Sequence, residues 1–123
     1  VRIALRSGFF FKLQEEIMIT ELVIFDLPKG MTREQVVEGM RKVAPHWRAN
    51  KELVRKNFLY DPANGQAGGA YTWPSVEAAQ RGHDAAWRAK IREMYGSDPV
   101  IRYFETPVLV DNVMNDTIES KAA

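Results

Sequence analysis

The sequence predicts an α+β domain with the element order β-α-β-β-α-β. This is the ferredoxin-like arrangement, an antiparallel four-stranded sheet with both helices on one face. Three observations predict it. A nearly apolar run, "ITELVIFDL", precedes an amphipathic stretch. Two strand-like runs are then joined by the breaker-rich "DPANGQ". A second capped amphipathic stretch leads into "VIRYFE" and "PVLV".

The first strand is expected over 19–27, where β-branched and aromatic residues lie on both faces, as in a buried strand. "PKGM" ends it, and Thr32-x-x-Gln35 has the form of a capping box, which opens the first helix. Val36, Met40, Val43 and Trp47 recur on it at helical spacing. Pro45 is expected to kink or end this helix, because proline deletes a backbone donor. The second strand, 52–60, places Arg55, Asn57 and Leu59 on one face and Val54, Lys56, Phe58 and Tyr60 on the other. The third, 67–73, forms a hairpin with it. Ser75 caps the second helix. Gly82 interrupts that helix and Asp84 re-caps it, giving a row of His83, Trp87, Ile91 and Met94. Gly96 and then Pro99 stop it. A fourth strand region follows, broken at Pro107, and 113–123 reads as a partly mobile tail.

A chain of 123 residues without cysteine can still bury a core of its own. The lack of cysteine excludes a disulfide scaffold, a thiolate zinc site and a cysteine nucleophile, and fits a cytoplasmic location. A net charge of +1 leaves no electrostatic footprint for nucleic acid. The longest apolar runs are strand-sized, so no membrane span is expected. "KLQEEIM" admits the codons CAG-GAG-GAG, a ribosome-binding sequence just upstream of Met18. Residues 1–17 are therefore expected to be a leader or mis-annotated extension before a domain over 18–112. The alternative is a genuine N-terminal arm. Strand 19–27 and "PVLV" are apolar on both faces while the helices cover only one. An open apolar face marks an interface, and a homodimer with two sheets face to face is expected.

Gly68-Gly69 lacks the lysine and the helix start of a phosphate loop, so it reads as a place of close backbone approach in a strand. Trp47, Tyr71, Trp73 and Trp87 can wall an apolar pocket between sheet and helices, or simply pack the core. Arg55 and Asn57 on a buried strand face can orient a phenolate or carbonyl oxygen. Alternatively they form a cross-dimer ion pair, with Glu105 or Asp26 as partner. Tyr60 and Tyr103 can donate hydrogen bonds to a ligand or face solvent. His83 is the proton-transfer candidate, with a surface position at the helix break as the alternative. His46, beside Pro45, reads as exposed. Two histidines without a ligand-spaced partner predict no metal site.

The runs "LVRKNFLYDPANGQAGGAYTWPSVEAAQ" and "YFETPVLVDN" resemble the YdhR-like monooxygenases. These belong to the dimeric α/β-barrel superfamily, which also holds the antibiotic-biosynthesis and haem-degrading monooxygenases. The Gly-Gly-x-Tyr strand with its capped helix and the aromatic-Glu-x-Pro-Val-x-Val close carry the resemblance, which spans roughly 18–112. It implies a homodimer and cofactor-independent oxygenation of a small phenol or hydroquinone. Arg55 and Asn57 would then hold the phenolate, His83 or Tyr60 would move the proton, and the tryptophans would stack. A non-catalytic protein binding a small apolar ligand in the same pocket is the alternative. Trp73 and His83, ten positions apart, also match the haem-degrading branch. That branch uses an asparagine on the first strand, and "ITELVIFDL" has none.

Overall fold

The computed structural model describes residues 2–6, 9–14 and 16–120, with only the backbone of 2–14. Its elements in chain order are β1 (Arg2–Arg6), β2 (Phe9–Gln14), β3 (Ile19–Asp26), α1 (Arg33–Arg48), β4 (Arg55–Asp61) and β5 (Gln66–Trp73). There follow α2 (Val76–Gly82), α3 (Ala85–Tyr95), β6 (Val100–Glu105), β7 (Val108–Asp111) and β8 (Asp116–Ser120). The expected β-α-β-β-α-β unit is present as β3-α1-β4-β5-α2/α3-β6, and its strands lie in the order β4-β5-β3-β6. All three pairings are antiparallel.

The caps behave as their side chains dictate. Thr32 Oγ1 accepts from the Gln35 amide and the Gln35 side chain accepts from the Thr32 amide, closing the capping box. Ser75 and Asp84 accept from the amides of Ala78 and Trp87, so the second helix breaks at Gly82-His83 as expected. Gly96 closes α3 in the left-handed conformation, with φ 76°. Pro45 does not break α1, which runs to Arg48. The bond it deletes lies in the last turn, where Ala49 still donates to the Pro45 carbonyl and Trp47 is buried against the core.

Pairing fixes which residues share a face. Glu21 stands opposite Tyr71 and Tyr103, and Tyr71 opposite Lys56. The helix-facing side of the sheet therefore carries Ile19, Glu21, Val23, Phe25, Lys56, Phe58, Ala67, Tyr71 and Trp73. The core is centred there, on Val23, Trp47, Tyr71, Trp73, Ala78 and Ala79. Gly68 is buried where the backbone of β3 presses close. A Cβ there would lie 1.7 Å from the Val23 carbonyl oxygen, so only glycine fits.

The region expected as one interrupted strand divides at Pro107 between two sheets. β6 stays in the main sheet, while β7 joins a second one ordered β1-β2-β8-β7. Within the stretch read as a mobile tail, Asp116–Ser120 is strand β8, antiparallel to β7. The turn between them is held by Asp111, whose carboxylate accepts from the Val113 and Met114 amides. The stretch read as a leader or an arm contributes β1 and β2, and β2 pairs in parallel with β8.

Candidate functional site

A cavity of about 540 Å3 opens between the helix-facing side of the sheet and the helices. Phe25, Lys56, Phe58 and Tyr71 form its floor. Val36, Met40, Val43 and Trp47 of α1 and Trp87, Ile91 and Met94 of α3 form its walls. The helical spacing of those apolar residues turns them toward the sheet.

Lys56 is the polar group in this floor. Its Nζ lies 3.8 Å from the ring centroid of Phe58, 4.2 Å from that of Trp47 and 4.5 Å from that of Tyr71. Ring faces carry negative quadrupole charge and favour an ammonium there. Burial acts the other way and pushes the Lys56 amine down to about 7, opposed by the negative charge of Glu21. Loss of hydration outweighs the attraction of that charge, so Lys56 changes charge near neutrality. Burial, with the Glu21 charge adding to it, drives the Tyr71 phenol well above its ordinary range, so Tyr71 stays neutral.

Behind the floor lies a sealed polar cluster. Glu21, on the strand β3, is fully buried, as is His83 at 1 % exposure. Glu21 Oε1 accepts a 2.8 Å hydrogen bond from Trp73 Nε1 and stands 2.8 Å from His83 Nδ1. That second approach is off the ring N–H direction and makes a close polar contact without a hydrogen bond. The His83 ring is packed edge-on against Trp87 and Tyr71, with centroids 4.3 and 4.5 Å away, and lies tilted against Trp47 at 5.0 Å. Its Nε2 has no hydrogen-bond partner among the described residues. Gly82 lets the chain turn here over the indole of Trp73, where a Cβ would lie 2.5 Å from the ring.

Several expectations meet in this place and others do not. Trp47, Tyr71 and Trp87 line the cavity, while Trp73 lies beneath Tyr71, stacked at 6.1 Å and fully buried. His83 is at neither of its expected positions, surface or cavity wall, but is enclosed by rings. Arg55 and Asn57 are exposed on the far side of the sheet. A strand alternates, and its in-phase residues Lys56 and Phe58 are the ones turned toward the cavity. Within its own chain Arg55 pairs with Asp111. The guanidinium and the Met114 amide hold the Asp111 carboxyl below its usual range. Tyr60 is off the cavity at the end of β4, with the Arg33 guanidinium 6.0 Å from its ring. Tyr103 turns a buried hydroxyl toward the core. His46 is exposed at the cavity rim.

Sequence reasoning passed over Lys56 and Glu21. Lys56 alternates in phase with Phe58 and Tyr60, and Glu21 is a carboxylate inside a nearly apolar strand, whose other carboxylate, Asp26, stands at its end. Each was a visible signal of a polar group facing inward.

Among the described residues, no cluster of three or more His, Cys, Asp and Glu is placed to hold a metal ion. No helix among them is long and apolar enough to cross a membrane. No protein-family model and no curated protein sequence matches the chain. Solved structures do share its fold. Protein NE2512 of unknown function from Nitrosomonas europaea is 15% identical with a TM-score of 0.60, over 72% of this chain and 88% of that one. The ActVA-Orf6 monooxygenase of Streptomyces coelicolor, solved with the ligand nanaomycin D, is 15% identical with a TM-score of 0.58, over 73% and 88%. SnoaB of Streptomyces nogalater, a cofactor-independent oxygenase, is 12% identical with a TM-score of 0.54, over 73% and 93%. At these identities the likeness establishes the fold.

Proposed function

We propose that this protein is a monooxygenase of the antibiotic-biosynthesis superfamily, close to its YdhR-like members, that oxidises a small phenol-like substrate without a cofactor. The observation that carries the reading is the aromatic-walled cavity between sheet and helices, with the Lys56 amine set among ring faces in its floor. Two neighbours of the same fold are named as oxygenases, one of them cofactor-independent. An electron-rich substrate such as anthrone, once deprotonated, reduces dioxygen itself. One oxygen atom enters the ring carbon and the other leaves as water with that carbon's two hydrogens. The protein's task is to enclose the ring, take the first proton and exclude bulk water. Arg55 and Asn57 have no part in this, and His83 acts at most from behind the ring wall.

The outer sheet face, with Leu22, Ile24, Val100 and Phe104, is the surface a second copy would cover. The test is oxygen consumption with anthrone at neutral pH. Stoichiometric formation of anthraquinone above the uncatalysed rate is expected. Anthrone that binds without oxygen uptake would replace this reading with a non-catalytic ligand-binding protein.

A further inference from the structure

We propose that Lys56 is the group that binds the ligand, and that the cavity selects planar aromatic compounds bearing an acidic oxygen, held as the oxyanion against Nζ. The inference deepens the proposed function by naming the feature that a ligand must have.

Three observations support it. First, Lys56 Nζ has no carboxylate within ion-pair distance and no hydrogen-bond acceptor among the described residues, although an ammonium carries three donors. Ring faces satisfy its charge but none of its N–H groups. An oxygen arriving through the cavity supplies what is missing. Secondly, Trp47 and Tyr71 line the cavity beside Nζ with their ring planes 62° apart, so an aromatic ligand stacked on one ring meets the other edge-on and carries a ring substituent toward Nζ. Thirdly, the cavity wall is basic. Lys42, Lys56, Arg81 and Lys90 line it against one carboxylate, Asp84, with His46 at the rim. Arg81 is partly offset by its pair with Glu52, and Asp84 is occupied as the cap of α3. Glu21, across the sheet from Tyr71, is the carboxylate whose charge reaches Lys56 most strongly. A wall of this sign attracts anions.

The chemistry is one proton transfer. The neutral amine takes the proton of a phenolic hydroxyl, the O–H bond breaks, an N–H bond forms, and the ammonium stays paired with the phenolate. The ion pair gains strength from the poorly solvated site, where the amine alone was destabilised. A carboxylate ligand pairs with the ammonium directly.

The experiment is an anaerobic absorbance titration with 2-naphthol and with its methyl ether, 2-methoxynaphthalene, which cannot ionise. The wild-type protein is expected to bind 2-naphthol at least tenfold more tightly than the ether. Bound 2-naphthol should show the naphtholate band at least one pH unit below where the free compound ionises. Lys56→Met should abolish the band while retaining the ether, and Lys56→Arg should restore preference for the anion. Equal affinity of wild-type protein for the two compounds, or binding of neither, overturns the proposal even if Lys56→Met does not fold. So does a naphtholate band that survives in Lys56→Met. Because no oxygen is present, naphtholate binding together with no oxygen uptake on anthrone removes the oxygenase reading and leaves this one standing.

Discussion

At the scale of single residues, the site is an exchange between hydration and ring faces. Lys56 has lost enough water to lower its amine from 10.5 to about 7. A lysine lowered on folding binds fewer protons in the folded than in the unfolded chain across that window. Stability therefore rises with pH between about 7 and 10 and levels off at its lower value below about 7, where both states hold the proton. Lys56→Met is expected to stabilise the protein at neutral pH by about 1–3 kcal/mol, since it removes a costly buried charge. It should also flatten the rise between pH 7 and 9.5, which denaturant unfolding at several pH values will measure. The opposite sign is expected one layer deeper. Trp73→Phe removes the indole N–H from Glu21 and leaves a buried carboxylate oxygen without its donor. A loss of about 1–3 kcal/mol is expected by the same method.

At the scale of elements, the break between α2 and α3 is what brings His83 to the rings. Gly82 is there for space, its missing Cβ being replaced by the Trp73 indole. Gly82→Ala should lower the melting temperature by several degrees, corresponding to about 1–3 kcal/mol, because the buried indole cannot step aside. Calorimetry will show it. Caps and strand phases were legible in the sequence because their physics is local: Thr32, Ser75, Asp84 and Gly96 each do what their side chains, or the lack of one, dictate. The cavity-lining rings Trp47, Tyr71 and Trp87 followed from the same periodicity. Arg55 was misplaced because a strand pattern gives two faces without saying which the helices cover. The inward face is settled by the whole pairing register, which puts Lys56 beside Tyr71. β8 escaped notice because Asp116–Ser120 is mostly polar, and its pairing with β2 depends on a segment at the other end of the chain. Pro45 shows a local rule yielding to tertiary burial of the adjacent Trp47.

At the scale of the whole molecule, the two sides of the main sheet differ. One is sealed by helices. The other presents Val100, 63% exposed, and Phe104, 41% exposed, together with Leu22 and Ile24. An apolar sheet surface of this kind is ordinarily covered by a partner. Phe104→Asp is expected to convert a dimer to monomer while leaving the folded signal of the helix-facing core intact. Sedimentation alongside circular dichroism will test both. A chain that is already monomeric before substitution would remove the dimer from the proposal without touching the cavity.

The gathering of rings around His83 also has an optical consequence. The chain has three tryptophans, and all three lie in that one cluster, within 6.2 Å of the imidazole by ring centroid. Every photon of indole emission therefore originates beside the cavity, and Trp47 has the Lys56 amine over its ring face. Emission intensity and colour become a direct gauge of the charge on that amine and of anything entering the cavity. Occupancy can thus be followed in the unlabelled protein, without any introduced dye.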